Sequence, residues 1–131
     1  MKKSELLNQP MSSVIAGMGH TDTIAIGDCG LPIPDCVTRI DLALVKGIPT
    51  FMQVLEATLS ELHVEKVIIA SEMSTRNPSL YTVMQEKFSG ITIEEIPHEE
   101  FKARTSKCKA VIRTGEYCPY ANIILQSGVT F

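Results

Sequence analysis

The sequence predicts an α/β protein of a single domain, built as three layers, α/β/α, around a largely parallel or mixed central sheet. Three observations predict it. Short β-branched apolar runs, such as Thr23-Ile24-Ala25-Ile26 and Val64 to Ala70, alternate with helical stripes such as Phe51, Val54, Leu55, Leu59 and Leu62. Such alternation is the pattern of a sheet covered by helices. The chain has 131 residues, of which 44% are hydrophobic and 21% charged, so it can bury one core without help from disulfides or metal. No repeat, low-complexity tract or linker divides residues 1–131, and one domain is expected over the whole span.

The elements follow in order. Residues 1–9 read as an arm or short strand. Ser12 or Ser13 is a candidate cap for a short helix carrying Val14, Ile15 and Met18, closed by Gly17 and Gly19. Thr23 to Ile26 is a buried strand ending in Gly27-Asp28-Cys29-Gly30. Leu31-Pro32-Ile33-Pro34-Asp35 must be a stiff loop, because two prolines fix φ and remove donors. Thr38 to Leu44 alternates as a strand, and the Phe51 stripe gives a helix. Val64 to Ala70 is the next strand. Asn77-Pro78 starts a helix with Leu80, Val83, Met84 and Phe88 on its apolar side. Ile91 to Ile96 alternates as a strand, and His98-Glu99-Glu100-Phe101 opens a short helix. Cys108 to Ile112 and Asn122 to Leu125 are the last strands. In open sheets of this kind ligands bind beyond the strand carboxyl ends. Asp28, Glu72 and Arg113-Thr114-Gly115-Glu116 are placed at such ends.

Charge and cysteine usage narrow the function. With 12 Lys+Arg against 15 Asp+Glu the net charge is -3, which argues against a nucleic-acid partner. No apolar run is long enough for a membrane span or a signal peptide. Cys29, Cys36, Cys108 and Cys118 lack the close paired spacing of a zinc site. Free thiols in a cytoplasmic setting are therefore expected.

Familiar catalytic motifs fail. Gly17-Met18-Gly19 closes a helix instead of following a strand, and Asp22 stands where a third glycine belongs. There is no phosphate loop, HExxH or GxSxG. No pattern selects Cys29 with His20 or His98 as a protease dyad. What remains are polar residues in loops, each with a plain structural reading. His20 suits a helix carboxyl end. Asp28 suits a turn, and His98 a helix start. Tyr120 and Asn122 suit a loop, and His63 a helix–strand junction.

Together these segments carry more. Gly19-His20-Thr21-Asp22 is followed by Asp28-Cys29-Gly30-Leu31-Pro32-Ile33-Pro34 and Phe51-Met52-Gln53-Val54. Later come Ala110-Val111-Ile112-Arg113-Thr114-Gly115-Glu116, then Pro119-Tyr120-Ala121-Asn122-Ile123-Ile124-Leu125, and the close Ser127-Gly128-Val129-Thr130-Phe131. In this order and over the whole length they resemble the D-ribose pyranase family, which includes the related fucose mutarotases. The Gly-Leu-Pro-Ile-Pro loop is closer to the ribose branch. Cys29 stands where the family usually has alanine, a near-isosteric change that places an oxidisable thiol beside Asp28.

The resemblance implies that His20 is the proton donor and that Asp28, His98, Tyr120 and Asn122 contact the sugar. It implies a cytoplasmic homo-oligomer, typically a ring-like decamer, with sites near subunit boundaries. It also implies interconversion of the pyranose and furanose forms of D-ribose. Ring opening and closure need only proton transfers, so neither cofactor nor metal is called for. Histidine suits such transfers near neutral pH. Asp28 would accept from sugar hydroxyls, while Asn122 offers donor and acceptor. Two alternatives remain at this level: a mutarotase acting on fucose or another sugar, and a non-catalytic sugar-binding accessory to ribose uptake.

Overall fold

The structure is a computed structural model describing residues 1–131. Eleven elements follow in order: α1 (Gln9–Ala16), β1 (Thr23–Gly27), β2 (Thr38–Asp41), α2 (Phe51–Leu59), β3 (Val64–Ala70) and α3 (Met73–Arg76), then α4 (Pro78–Lys87), β4 (Thr92–Ile96), α5 (His98–Thr105), β5 (Ala110–Arg113) and β6 (Ile123–Ser127). One six-stranded sheet has the order β2-β5-β1-β6-β3-β4. β6 runs antiparallel to both β1 and β3, whereas β2, β5 and β1 are mutually parallel, as are β3 and β4. The sheet is therefore mixed, and β6 alone is reversed.

Strand side chains alternate between faces, and each face has its own core. Ile24, Ile26, Val67, Ile69, Ile112, Ile123 and Leu125 enter a cluster of 21 buried residues together with Met11, Phe51, Leu55 and Met84 from α1, α2 and α4. Ala25, Ile68, Val111 and Ile124 face the opposite way. There Ile96 of β4, Phe101 of α5, Cys108, and Leu31 and Val37 from the segment after β1 complete a cluster of nine. The layers are thus α/β/α, with the second helical layer thin and partly replaced by loop.

Several boundaries differ from the sequence reading, each for a local reason. Asn8 caps α1, its side chain accepting from the Met11 N–H, and Pro10 occupies the first turn. Ser12 and Ser13 lie inside the helix, and Gly17 alone closes it. Residues 1–8 form neither helix nor strand, although Leu6 is buried. β2 stops at Asp41, because Asp41 accepts from the Ala43 N–H and turns the chain. Asn77 precedes α4 but makes no side-chain cap; its amide donates to the Pro119 carbonyl at 3.0 Å. α3 has only four residues, too few to carry a readable period in the sequence.

α2 begins with a reciprocal cap that was also not read from the sequence. Thr50 Oγ1 accepts from the Gln53 N–H at 3.1 Å, and Gln53 Oε1 accepts from the Thr50 N–H at 2.9 Å.

Candidate active site

All strands but β6 point their carboxyl ends to one edge of the sheet, and β6 begins there. Asp28 follows β1, Glu72 follows β3, His98 follows β4, and Thr114 with Glu116 follows β5. Asn122 immediately precedes β6. Residues distant in sequence meet at this edge because the topology delivers them there.

Asp28 and Asn122 form a reciprocal pair. The Asp28 N–H donates to Asn122 Oδ1 at 2.9 Å, and Asn122 Nδ2 donates to Asp28 Oδ2 at 3.0 Å. The other Asp28 oxygen accepts from the Gly30 N–H at 2.9 Å. Gly27 must lack a side chain for this pairing. A Cβ there would stand 2.5 Å from Leu31 Cδ2 and 3.0 Å from Asn122 Oδ1.

His98 opens α5, and its backbone N–H donates to both oxygens of Glu72, at 3.1 and 3.0 Å. The Glu72 carboxyl is held below its ordinary pKa by backbone hydrogen bonds, its own and that from His98, against the opposing effect of burial. The His98 ring stacks on Phe101 at 6.2 Å and meets Tyr120 edge-on at 5.1 Å. Its Nδ1 is buried with no hydrogen-bond partner. Tyr120 has φ 59°, a left-handed conformation unusual for an aromatic residue.

The Tyr120 loop is fixed from its base. Glu116 accepts from the N–H groups of Phe51 at 3.2 Å, Tyr117 at 2.9 Å and Cys118 at 3.1 Å. Its carbonyl accepts from the Cys29 N–H at 2.9 Å. Thr114 Oγ1 donates to the Gly27 carbonyl at 2.8 Å. Asp28, His98, Tyr120 and Asn122 therefore line one cavity of about 460 Å³, with Cys29 and Cys118 also on its wall. That volume and its convergent polar groups suit a small polar molecule such as a monosaccharide.

His20 lies elsewhere. It sits in a turn at the opposite edge of the sheet, before β1. At about 3.3 Å per residue, the strand and its flanks place it roughly 20 Å from Asp28. The turn is tight: Thr21 has φ 69°, the Gly19 N–H donates to Asp22 Oδ2, and the Thr21 N–H donates to the Ser127 carbonyl. His20 does not cap α1. Its Nε2 instead lies 3.0 and 3.1 Å from the two oxygens of Glu65. A second cavity of about 490 Å³ opens here, bounded by His20, His63, Glu61 and the C-terminal residues Val129 to Phe131.

Four of the five residues singled out in the sequence thus converge, and the fifth faces another part of the surface. Glu65 and Gln126 were missed. Two adjacent charged residues, Glu65 and Lys66, in an otherwise apolar strand from Val64 to Ala70 are the available signal. No cluster of His, Cys, Asp or Glu is arranged to hold a metal ion. All four cysteines are free.

A mixed α/β sheet with a small polar cavity at its carboxyl edge defines the class: a compact protein shaped to hold a sugar-sized ligand. The chain belongs to the RbsD / FucU transport protein family, whose profile matches residues 1–130. It is 60% identical over 131 residues to a D-ribose pyranase of Clostridium botulinum (strain Eklund 17B / Type B), covering 100% of each chain. It is 53% identical to a D-ribose pyranase of Geobacillus kaustophilus (strain HTA426), covering 100% of this chain and 96% of that one. Among solved structures, Bacillus subtilis RbsD complexed with D-ribose superimposes with a TM-score of 0.96 at 48% identity, covering 100% of both chains. The fucose mutarotase of Streptococcus pneumoniae in complex with L-fucose shares the fold, with a TM-score of 0.83 at 24% identity over 100% of both chains.

Proposed function

We propose that this chain is a D-ribose pyranase, interconverting the pyranose and furanose forms of D-ribose by cofactor-free acid–base ring opening and closure. One observation carries the reading: Asp28, His98, Tyr120 and Asn122 converge on a sugar-sized cavity in a chain of the ribose pyranase type. Asp28 and the free Nδ2 hydrogen of Asn122 would orient sugar hydroxyls. His98 Nδ1 would gain the partner it lacks, and Tyr120 would lie against the sugar ring. His20 would give a proton to the ring oxygen as the anomeric hydroxyl loses one and the aldehyde forms. Closure on a different hydroxyl reverses those transfers.

Because His20 is at the far edge of its own sheet, the complete site would form between copies, one supplying the cavity and its neighbour His20. The working assembly in this reading is a ring-like homodecamer in the cytoplasm. No helix is long and apolar enough to cross a membrane.

Saturation-transfer NMR on D-ribose tests the activity. Added protein is expected to speed exchange between ring forms, and His20→Ala to slow it by roughly 10²–10⁴-fold with unchanged circular dichroism. Saturable ribose binding without faster exchange would indicate an accessory binder, and faster exchange on fucose than on ribose would indicate a mutarotase.

A further inference from the structure

We propose that Glu65 is a positioning residue for His20, binding its Nε2 so that Nδ1 is the ring nitrogen left to exchange a proton with the sugar. This rests on the reading of His20 as proton donor. Both Glu65 oxygens lie within hydrogen-bond distance of Nε2, at 3.0 and 3.1 Å. Glu65 is itself held: Gln126 Nε2 donates to its Oε1 at 2.8 Å across the β3–β6 pairing. Gly128 keeps the space open, since a Cβ there would come to 3.0 Å from Glu65 Cβ and 3.3 Å from its Oε2. Gln126 of β6 and Gly128 just after it thus build a socket for the Glu65 carboxylate, and that carboxylate faces one histidine nitrogen.

The chemistry follows from donor and acceptor capacity. An ionised carboxylate only accepts, so Nε2 must carry a hydrogen in both the neutral and the charged ring. Hydrogen bonds from Gln126 and His20 keep the Glu65 carboxyl below its ordinary pKa against the opposing effect of burial, so it is ionised at neutral pH. In the charged ring Nδ1–H gives its proton to the sugar ring oxygen, which keeps the electron pair of the broken C1–O bond. The anomeric O–H pair becomes the new C=O bond, and that proton leaves to water. The ring is left neutral with Nδ1 unprotonated, ready for the reverse step. Other ionisable groups near the pair are His63, immediately before β3, and Glu61 in the preceding turn. Beyond the turn, Asp22 is paired with Lys109.

The test compares wild type with Glu65→Gln, Glu65→Asp and Gln126→Ala. Nitrogen-15 NMR of the histidine rings reads the His20 tautomer in sugar-free protein, and the pH profile of ribose ring exchange reads the chemistry. Wild type is expected to show neutral His20 protonated at Nε2. Glu65→Gln is expected to mix the tautomers, lower kcat at least tenfold with KM within twofold, and move the alkaline limb of the profile to lower pH. Glu65→Asp should restore part of kcat, and Gln126→Ala should give a milder form of the same change. An unchanged tautomer and pH profile in Glu65→Gln would overturn the proposal. So would wild-type His20 protonated at Nδ1. If wild type failed to speed ribose exchange, the pyranase reading would fall, while the tautomer measurement would still decide the role of Glu65.

Discussion

Asp28 and Asn122 stand 94 positions apart and share two hydrogen bonds. Asn122 is 1% exposed, and its amide offers a ligand only the one Nδ2 hydrogen that Asp28 does not take. Its oxygen is occupied by the Asp28 N–H and one of its amide hydrogens by the Asp28 carboxylate. The sequence pointed to both residues, but not to this pairing, because nothing local links the end of β1 to the start of β6. In the proposed reading Asn122 would therefore act on the sugar partly through Asp28. Asn122→Ala would leave the Asp28 N–H and one carboxylate oxygen without partners. Leaving such groups unpaired costs about 1–3 kcal/mol, expected as a lower urea midpoint. Ribose affinity, measured by calorimetry, should fall with it. Ribose affinity equal to wild type would mean that Asp28 holds its orientation unaided.

At the scale of elements, the loop from Glu116 to Asn122 joins β5 to β6 and carries the aromatic wall of the cavity. Burial works against the Glu116 carboxylate. The backbone donors Cys118, Phe51 and Tyr117 outweigh it and hold the pKa below its ordinary value of 4.5. A lowered folded pKa means the contribution to stability is fully present above 4.5 and is lost as pH falls through the folded value. The loop should therefore loosen on acidification below 4.5. Above pH 4.5 the protection of Tyr117 and Cys118 against hydrogen exchange should stay constant, and it should fall as pH drops from there through the lowered Glu116 pKa. Glu116→Gln should abolish the acid step at these two amides; persistence of the step would assign it to another carboxylate. Most elements were legible because their signals are local: the Phe51 stripe, the β-branched runs, the proline loop. Strand order and the reversal of β6 were not, because both depend on pairing between strands far apart in the chain. The start of α1 was misjudged for a smaller reason. Two serines looked like caps, while Asn8 with Pro10 two residues later was the stronger signal.

For the whole molecule, the decisive geometry is that a strand of five residues separates the His20 turn from the Asp28 cavity. Bending one chain to join them would break β1, which pairs with both β5 and β6 at the centre of the sheet. The surface meanwhile carries Leu44, Val45, Ile48, Tyr117 and Phe131, all large, apolar and exposed. Leu44, Val45 and Tyr117 line a groove whose wall includes Cys29, next to Asp28, and Phe131 borders the His20 cavity. Exposed apolar groups beside both the Asp28 cavity and the His20 turn would suit an interface between copies. If His20 of one copy completes the cavity of another, two inactive variants can rescue each other. His20→Ala keeps an intact cavity and Asp28→Ala keeps an intact His20. Co-expressed in equal amounts and assembled at random, they would place the two intact halves together at about a quarter of the sites. Ribose exchange should then recover to about that fraction of wild type, whereas each variant alone stays near background. Sedimentation velocity on the same sample confirms that mixed oligomers have formed. Background exchange in demonstrably mixed oligomers would place both residues in the service of a single chain, and would require β1 to open for the site to assemble.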